Sequence, residues 1–266
     1  MKNYIKSICM IGVLSSISMT AVAKITEKRI SYQAGNTTLV GYLYYEEDTK
    51  AIRPAIIVVH EWWGLNEYPK MRARKLAEMG YIAFCADMYG EGKVVDNPTE
   101  AQTAASEIFK NPELLKTRLN AAYQTLMNNP LVNKSKITAI GYCFGGSVVL
   151  NAANMGVPLQ AVICFHGSFK GFKANKEILT SKVLICHGAA DQFVTPEDVD
   201  NLKNEMNNIK ATYEFKVYEN ATHAFTNKES TEVGRKFKMP IAYNSKADND
   251  SWSNMIAFLK KYKLDK

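Results

Sequence analysis

The chain has 266 residues, 47% of them hydrophobic, 11% aromatic and 22% charged. That balance excludes a disordered chain, a collagen-like repeat and a small disulfide-stapled scaffold. Lysine and arginine number 33 against 26 aspartates and glutamates, a net charge of +7, and the basic residues form no long block, so nucleic acid is not an expected partner.

Residues 1–23 carry Lys2 and Lys6, then an apolar run over 8–13, then Ala21-Val22-Ala23. These are the three parts of a secretory signal peptide, and they predict an exported protein, periplasmic or secreted. The apolar run is far short of the ~20 residues of a spanning helix. No stable membrane insertion is therefore expected after its removal, and the mature part, 24–266, is expected to be one monomeric domain.

Alternating runs near 27–34 and 38–46 predict an antiparallel entry pair. Strands and helices then alternate. Continuous apolar runs over 54–59, 81–86, 136–140, 160–165 and 182–187, with a further run over 212–218, read as strands covered on both faces of a sheet. Helical spacing falls at 67–79, ending at Gly80, and at 113–128, 145–155, 197–208 and 250–262. This alternation predicts the α/β class, as a single domain with a mostly parallel sheet flanked by helices. Four cysteines remain after residue 23, and an even count in an exported chain invites disulfides. Cys85, Cys164 and Cys186, however, each lie inside an apolar strand run and read as buried core residues; Cys143 does not.

Open parallel sheets place their sites beyond the carboxyl ends of the strands. The residues that follow the apolar runs are His60-Glu61-Trp62-Trp63-Gly64, Asp87-Met88-Tyr89-Gly90, Gly141-Tyr142-Cys143-Phe144-Gly145-Gly146, His166, His187 and Ala221-Thr222-His223. The third has the spacing of a nucleophile elbow, with cysteine in place of serine. Such a turn needs residues without side chains two positions either side of the nucleophile. A helix N-terminus directly after it would favour the thiolate. Asp191 and His223 follow in the order nucleophile, acid, base, so His223 is the expected proton acceptor and Asp191 its orienting acid. The backbone N–H groups of Trp62 and Phe144 are the expected oxyanion donors. Trp63, Tyr89 and His166 are candidates for the pocket wall, while His60, His166 and His187 also suit strand-end packing. Metal-ligand spacings such as H-E-x-x-H or paired cysteines do not occur, so neither metal nor cofactor is expected.

Glu61-Trp62-Trp63-Gly64-Leu65-Asn66, Cys143 in its glycine elbow, Asp191 ahead of Phe193-Val194, and His223-Ala224-Phe225 together resemble the dienelactone hydrolase family of α/β-hydrolases. The resemblance spans nearly all of 24–266. It implies a small-molecule ester or lactone substrate, a Cys-His-Asp triad, and a role for Glu61 in contacting the resting cysteine and delivering it as thiolate. Two features depart from the dienelactone-processing members. The turn Asp87-Met88-Tyr89-Gly90-Glu91 and the stretch His223–Asn227 both lack the arginines that hold a substrate carboxylate there, and Arg235 lies further on. The expected function is hydrolysis of a carboxylic ester or lactone by covalent cysteine catalysis. The alternatives are thioesterase or acyl-transfer chemistry on the same site, or a non-catalytic binding module. The polar stretches 90–112 and 226–246 flank the expected pocket and are candidate lids.

Overall fold

The computed structural model describes residues 24–48 and 50–265; the signal-peptide reading of residues 1–23 lies outside the described residues. Ile25–Ala34 (β1) and Thr37–Glu46 (β2) pair antiparallel through a two-residue turn, with Gly35 at φ 59°, the first central position where a tight hairpin needs a residue without a side chain. Arg53–Val59 (β3), Ile82–Ala86 (β4), Val132–Tyr142 (β5), Ala161–Phe165 (β6), Lys182–Gly188 (β7) and Tyr213–Tyr218 (β8) complete an eight-stranded sheet in the order β1-β2-β4-β3-β5-β6-β7-β8. From β4 to β8 every pairing is parallel, and β2 joins β4 antiparallel. The mostly parallel sheet expected from the apolar runs is what forms.

Period-two alternation divides the interior into two cores. Ala55, Ile57 and Val59 of β3 and Ile82, Phe84 and Ala86 of β4 face one side; Ile56, Val58, Ala83 and Cys85 face the other. The first core is covered by Pro98–Lys110 (α2), Pro112–Met127 (α3), Phe144–Asn154 (α4) and Pro196–Asn208 (α5), through residues such as Ile108, Leu119, Val148 and Leu202. Glu67–Glu78 (α1) and Ser245–Lys261 (α7) cover the second, through Leu76, Met255 and Phe258. Cys85, Cys164 and Cys186 are buried free thiols. Cys164 belongs to the first core and the other two to the second, so the sheet itself separates Cys164 from its neighbours.

Two helices occupy stretches expected only as polar loops: α2, and Ser230–Phe237 (α6). The signal for α2 is present in the sequence. Asn97 caps it by accepting the Glu100 N–H at 3.0 Å, Pro98 follows at the first helical position, and Ala101, Ala104, Ala105 and Ile108 form its buried stripe. Helix α7 begins five residues earlier than its apolar spacing suggests. Its first turn is polar, but Asn244 caps it and Ala247 and Asp248 are buried.

Candidate active site

Strand β5 lies between β3 and β6, paired in parallel with both, so its carboxyl end opens at the middle of the sheet. The chain then turns straight into α4 through Cys143, which stands at φ 54°, ψ −116°. A non-glycine residue there is strained and must be held by its surroundings. The flanking glycines permit the turn by close approach. A Cβ on Gly141 would sit 2.0 Å from the Gly145 carbonyl oxygen, and one on Gly145 would sit 2.4 Å from the Val59 carbonyl oxygen. Cys143 is half-buried; the Gly146 and Ser147 amides already donate to its carbonyl, while Phe144, the first residue of α4, has no intrahelical acceptor for its N–H.

His223 follows β8; its side chain is hydrogen-bonded to Asp191 and electrostatically coupled to Cys143. The His223 Nδ1–Asp191 Oδ2 distance is 2.8 Å. The other Asp191 oxygen accepts the Phe193 N–H at 2.9 Å, which fixes the carboxylate from the far side. Burial alone would lower the His223 pKa, but the charge of Cys143 and the hydrogen bond to Asp191 outweigh it and hold the imidazolium well above the usual range. The fold therefore brings together Cys143, His223 and Asp191 from three separate strand ends.

Around them the loop after β3 is tied down. The Tyr89 hydroxyl donates to the Trp62 carbonyl at 2.9 Å, and Tyr89 packs against His60 and Phe144. Trp63 meets Trp62 at 5.0 Å and stacks on Phe237 at 6.0 Å. Tyr89 itself is positioned by Asp87, a fully buried carboxylate that accepts the backbone N–H groups of Val40, Tyr89, Gly90 and Gly92. His60 is buried with Nε2 accepting the Met88 N–H at 3.3 Å, which leaves the ring proton on Nδ1, facing the Glu61 carbonyl. His187 is buried against Phe169 and Phe215, the packing role its position suggests.

His166, a candidate for the pocket wall, lies instead wholly buried beneath the elbow. Its Nδ1 accepts the Cys143 backbone N–H at 3.0 Å and its Nε2 meets the Thr226 hydroxyl at 2.7 Å. An amide can only donate, so the ring proton is on Nε2, and burial together with the nearby His223 and Arg72 pushes this histidine well below its ordinary pKa. Thr226 continues the path: its hydroxyl is bonded to Tyr68, which accepts from Arg72, and Arg72 reaches both the Thr226 carbonyl and Asp248. None of Tyr68, Arg72, Thr226 and Asp248 stands out in the sequence, because their meeting depends on the fold bringing α1, α7 and the loop after β8 to one place.

Glu61 is 3% exposed. Its Oε2 accepts the Asn227 Nδ2–H at 2.7 Å, while Oε1 is buried without a hydrogen-bond partner. Burial pushes this carboxyl up to about 7, against the opposing effects of Asn227, His223 and Arg72. The expected Glu61–cysteine contact is not a hydrogen bond here: the carboxyl bonds to Asn227. Among the described residues no group of three or more histidine, cysteine, aspartate or glutamate side chains is arranged to hold a metal ion, and no helix is long and apolar enough to cross a membrane.

Residues 39–263 match the model of the dienelactone hydrolase family. The chain belongs to that family. As a dienelactone hydrolase family member it is a hydrolase of the carboxylic ester and lactone class. It is 31% identical to the dienelactone hydrolase-like promiscuous phosphotriesterase P91 from metagenomic libraries, whose crystal structure superposes with a TM-score of 0.83 over 90% of this chain and 98% of that one. The solved structure m3DLH is 30% identical with a TM-score of 0.84 and the same coverage. Protein usf of Aquifex pyrophilus is 28% identical over 215 residues, 79% of this chain and 88% of the relative.

Proposed function

We propose that this family member hydrolyses a carboxylic ester or lactone through a thioester on Cys143, with His223 as the proton carrier and Asp191 as its orienting group. The observation that carries this reading is the strained elbow cysteine electrostatically coupled to a histidine whose Nδ1 is held at 2.8 Å by a buried carboxylate. The Cys143 sulfur adds to the substrate carbonyl, and the charge that develops on its oxygen is received by the Trp62 and Phe144 N–H groups. Imidazolium of His223 protonates the departing alkoxide, leaving a thioester. Water then attacks that carbonyl as His223 takes its proton, and collapse expels the sulfur and releases the acid. Asp191 keeps the His223 ring proton on Nδ1, so that Nε2 serves the reacting atoms. Glu61, next to Trp62 and electrostatically coupled to His223, supports the nucleophile's environment.

Cys143→Ala is expected to lower kcat/KM for a simple ester by a thousandfold or more, on the order seen when a nucleophile is removed from such a unit, with an unchanged circular dichroism spectrum. Full activity in that variant would exclude the covalent reading. Slow ester turnover alongside rapid thioester hydrolysis would move the assignment to thioesterase chemistry at the same centre.

A further inference from the structure

The nucleophile and its base open onto a rim that is aromatic. Phe144, directly after Cys143, has Tyr89 at 5.3 Å and Phe109 edge-on at 5.2 Å. On the other side Phe193 stands edge-on to the His223 ring at 5.1 Å. Phe109 and Phe193 are 43% and 50% exposed, whereas Phe84, Phe165 and Phe225 are almost wholly buried. Phe109 comes from the end of α2 and Phe193 from the turn between β7 and α5, so two unrelated elements place exposed rings, one against the residue that follows the nucleophile and one against the base itself. An exposed ring forgoes the stabilisation its burial would give.

The charges around the pair favour the same substrate. Asp191 bonds to His223, and Glu61 and Glu229 act on one another within the same neighbourhood. Three cations on the flanking elements have partners of their own. Arg72 is buried against Asp248, Arg235 is paired with Glu232 on an exposed helix face, and Lys236 lies over the Phe237 ring. A substrate carboxylate entering here would lose its hydration to aromatic faces, and the cation of the pair, the His223 imidazolium, is already bonded to Asp191.

We infer that the site takes an uncharged ester carrying an aromatic or similarly flat apolar group, seated between Phe109 and Phe193 at the mouth of the Cys143–His223 pair. This rests on the covalent-cysteine reading above and adds the substrate class to it. Two rings pack edge-on or offset against a third with a gain beyond simple burial. Phe109 and Phe193 would thus be specificity-determining residues, while Cys143 and His223 supply the chemistry.

The test compares phenyl acetate with 4-carboxyphenyl acetate, each kcat/KM normalised to its spontaneous hydrolysis. It is run on the wild type, Phe109→Ala, Phe193→Ala and Cys143→Ala, with the rate of iodoacetamide labelling of Cys143 as a check on the site. The expected result is a preference of about tenfold or more for the uncharged ester, and a loss of about tenfold in its kcat/KM in each phenylalanine variant, with labelling unchanged. Equal or faster turnover of the carboxylate, or phenylalanine variants with wild-type kcat/KM, would overturn the inference. So would rapid labelling of Cys143 with no turnover of either ester. Retained hydrolysis in Cys143→Ala would instead overturn the underlying covalent-cysteine reading, so the two failures are distinguishable.

Discussion

At the scale of single residues, Glu61 makes a pH dependence of stability out of one buried carboxyl. Asn227 gives it a single neutral hydrogen bond, and the orientation of that amide is fixed because its oxygen accepts the Glu229 N–H at 3.0 Å. The second carboxyl oxygen has no partner, so the charged form is poorly compensated despite His223 and Arg72 nearby, and burial raises the group from 4.5 to about 7. A carboxyl raised on folding binds its proton more tightly in the native state. Below about 4.5 it is protonated in both states and imposes no cost. Between there and about 7 the unfolded chain ionises first, so stability falls as pH rises, by about 3 kcal/mol once both states are ionised. Glu61→Gln removes that titration. The stability difference between Glu61→Gln and the wild type, from urea unfolding at intervals between pH 4.5 and 8, is expected to shift steadily in favour of the variant. A constant difference across the range would show that the carboxyl ionises as it would in water.

At the scale of elements, the strand ends explain why so much of the site is legible in the sequence. Each apolar run stops where the sheet stops, and the polar residue that follows is carried to the same rim. Cys143, Asp191 and His223 could therefore be grouped with no knowledge of their distances. His166 defeats the same rule: it too follows an apolar run, yet its backbone stands at φ 41° and its ring turns under the elbow. Helix α2 was open to recognition from Asn97-Pro98, but its polar surface resembles a loop when only apolar spacing is weighed. The elbow is the most exacting element, since its glycines face backbone, which cannot rotate away. Gly145→Ala would set a Cβ 2.4 Å from the Val59 carbonyl oxygen and is expected to cost about 3 kcal/mol, the upper end for forced overpacking. The strain falls between β3 and the start of α4, so activity should drop even at temperatures where the variant remains folded. Thermal unfolding paired with an ester assay at 20 °C checks both, and a variant with wild-type melting and turnover would show that the elbow has room to relax.

At the scale of the whole molecule, the site is braced from the opposite face of the sheet by a pair that lies 176 residues apart in the chain. Arg72 of α1 and Asp248 of α7 form an ion pair with side chains 3% and 10% exposed. Arg72 also bonds to Tyr68 and to the Thr226 carbonyl, and Thr226 meets His166, which holds the Cys143 amide. The two helices, the loop that carries His223 and the nucleophile turn thus share one polar network. A buried pair gives little net stability over an apolar replacement, but removing one partner strands the other charge, at a cost of roughly 3–5 kcal/mol. Asp248→Asn is therefore expected to lower the melting temperature by roughly 6–20 °C for a chain of this size, and to reduce kcat as Thr226 and His166 lose their support. Arg72→Met combined with Asp248→Leu removes both charges and should recover much of the stability. Turnover should recover less, because no guanidinium then anchors the Thr226 carbonyl. Melting curves and kcat for Arg72→Met, Asp248→Leu and the two combined complete the thermodynamic cycle. Recovery of stability and turnover in equal measure would show that the pair holds the helices together without bracing the site.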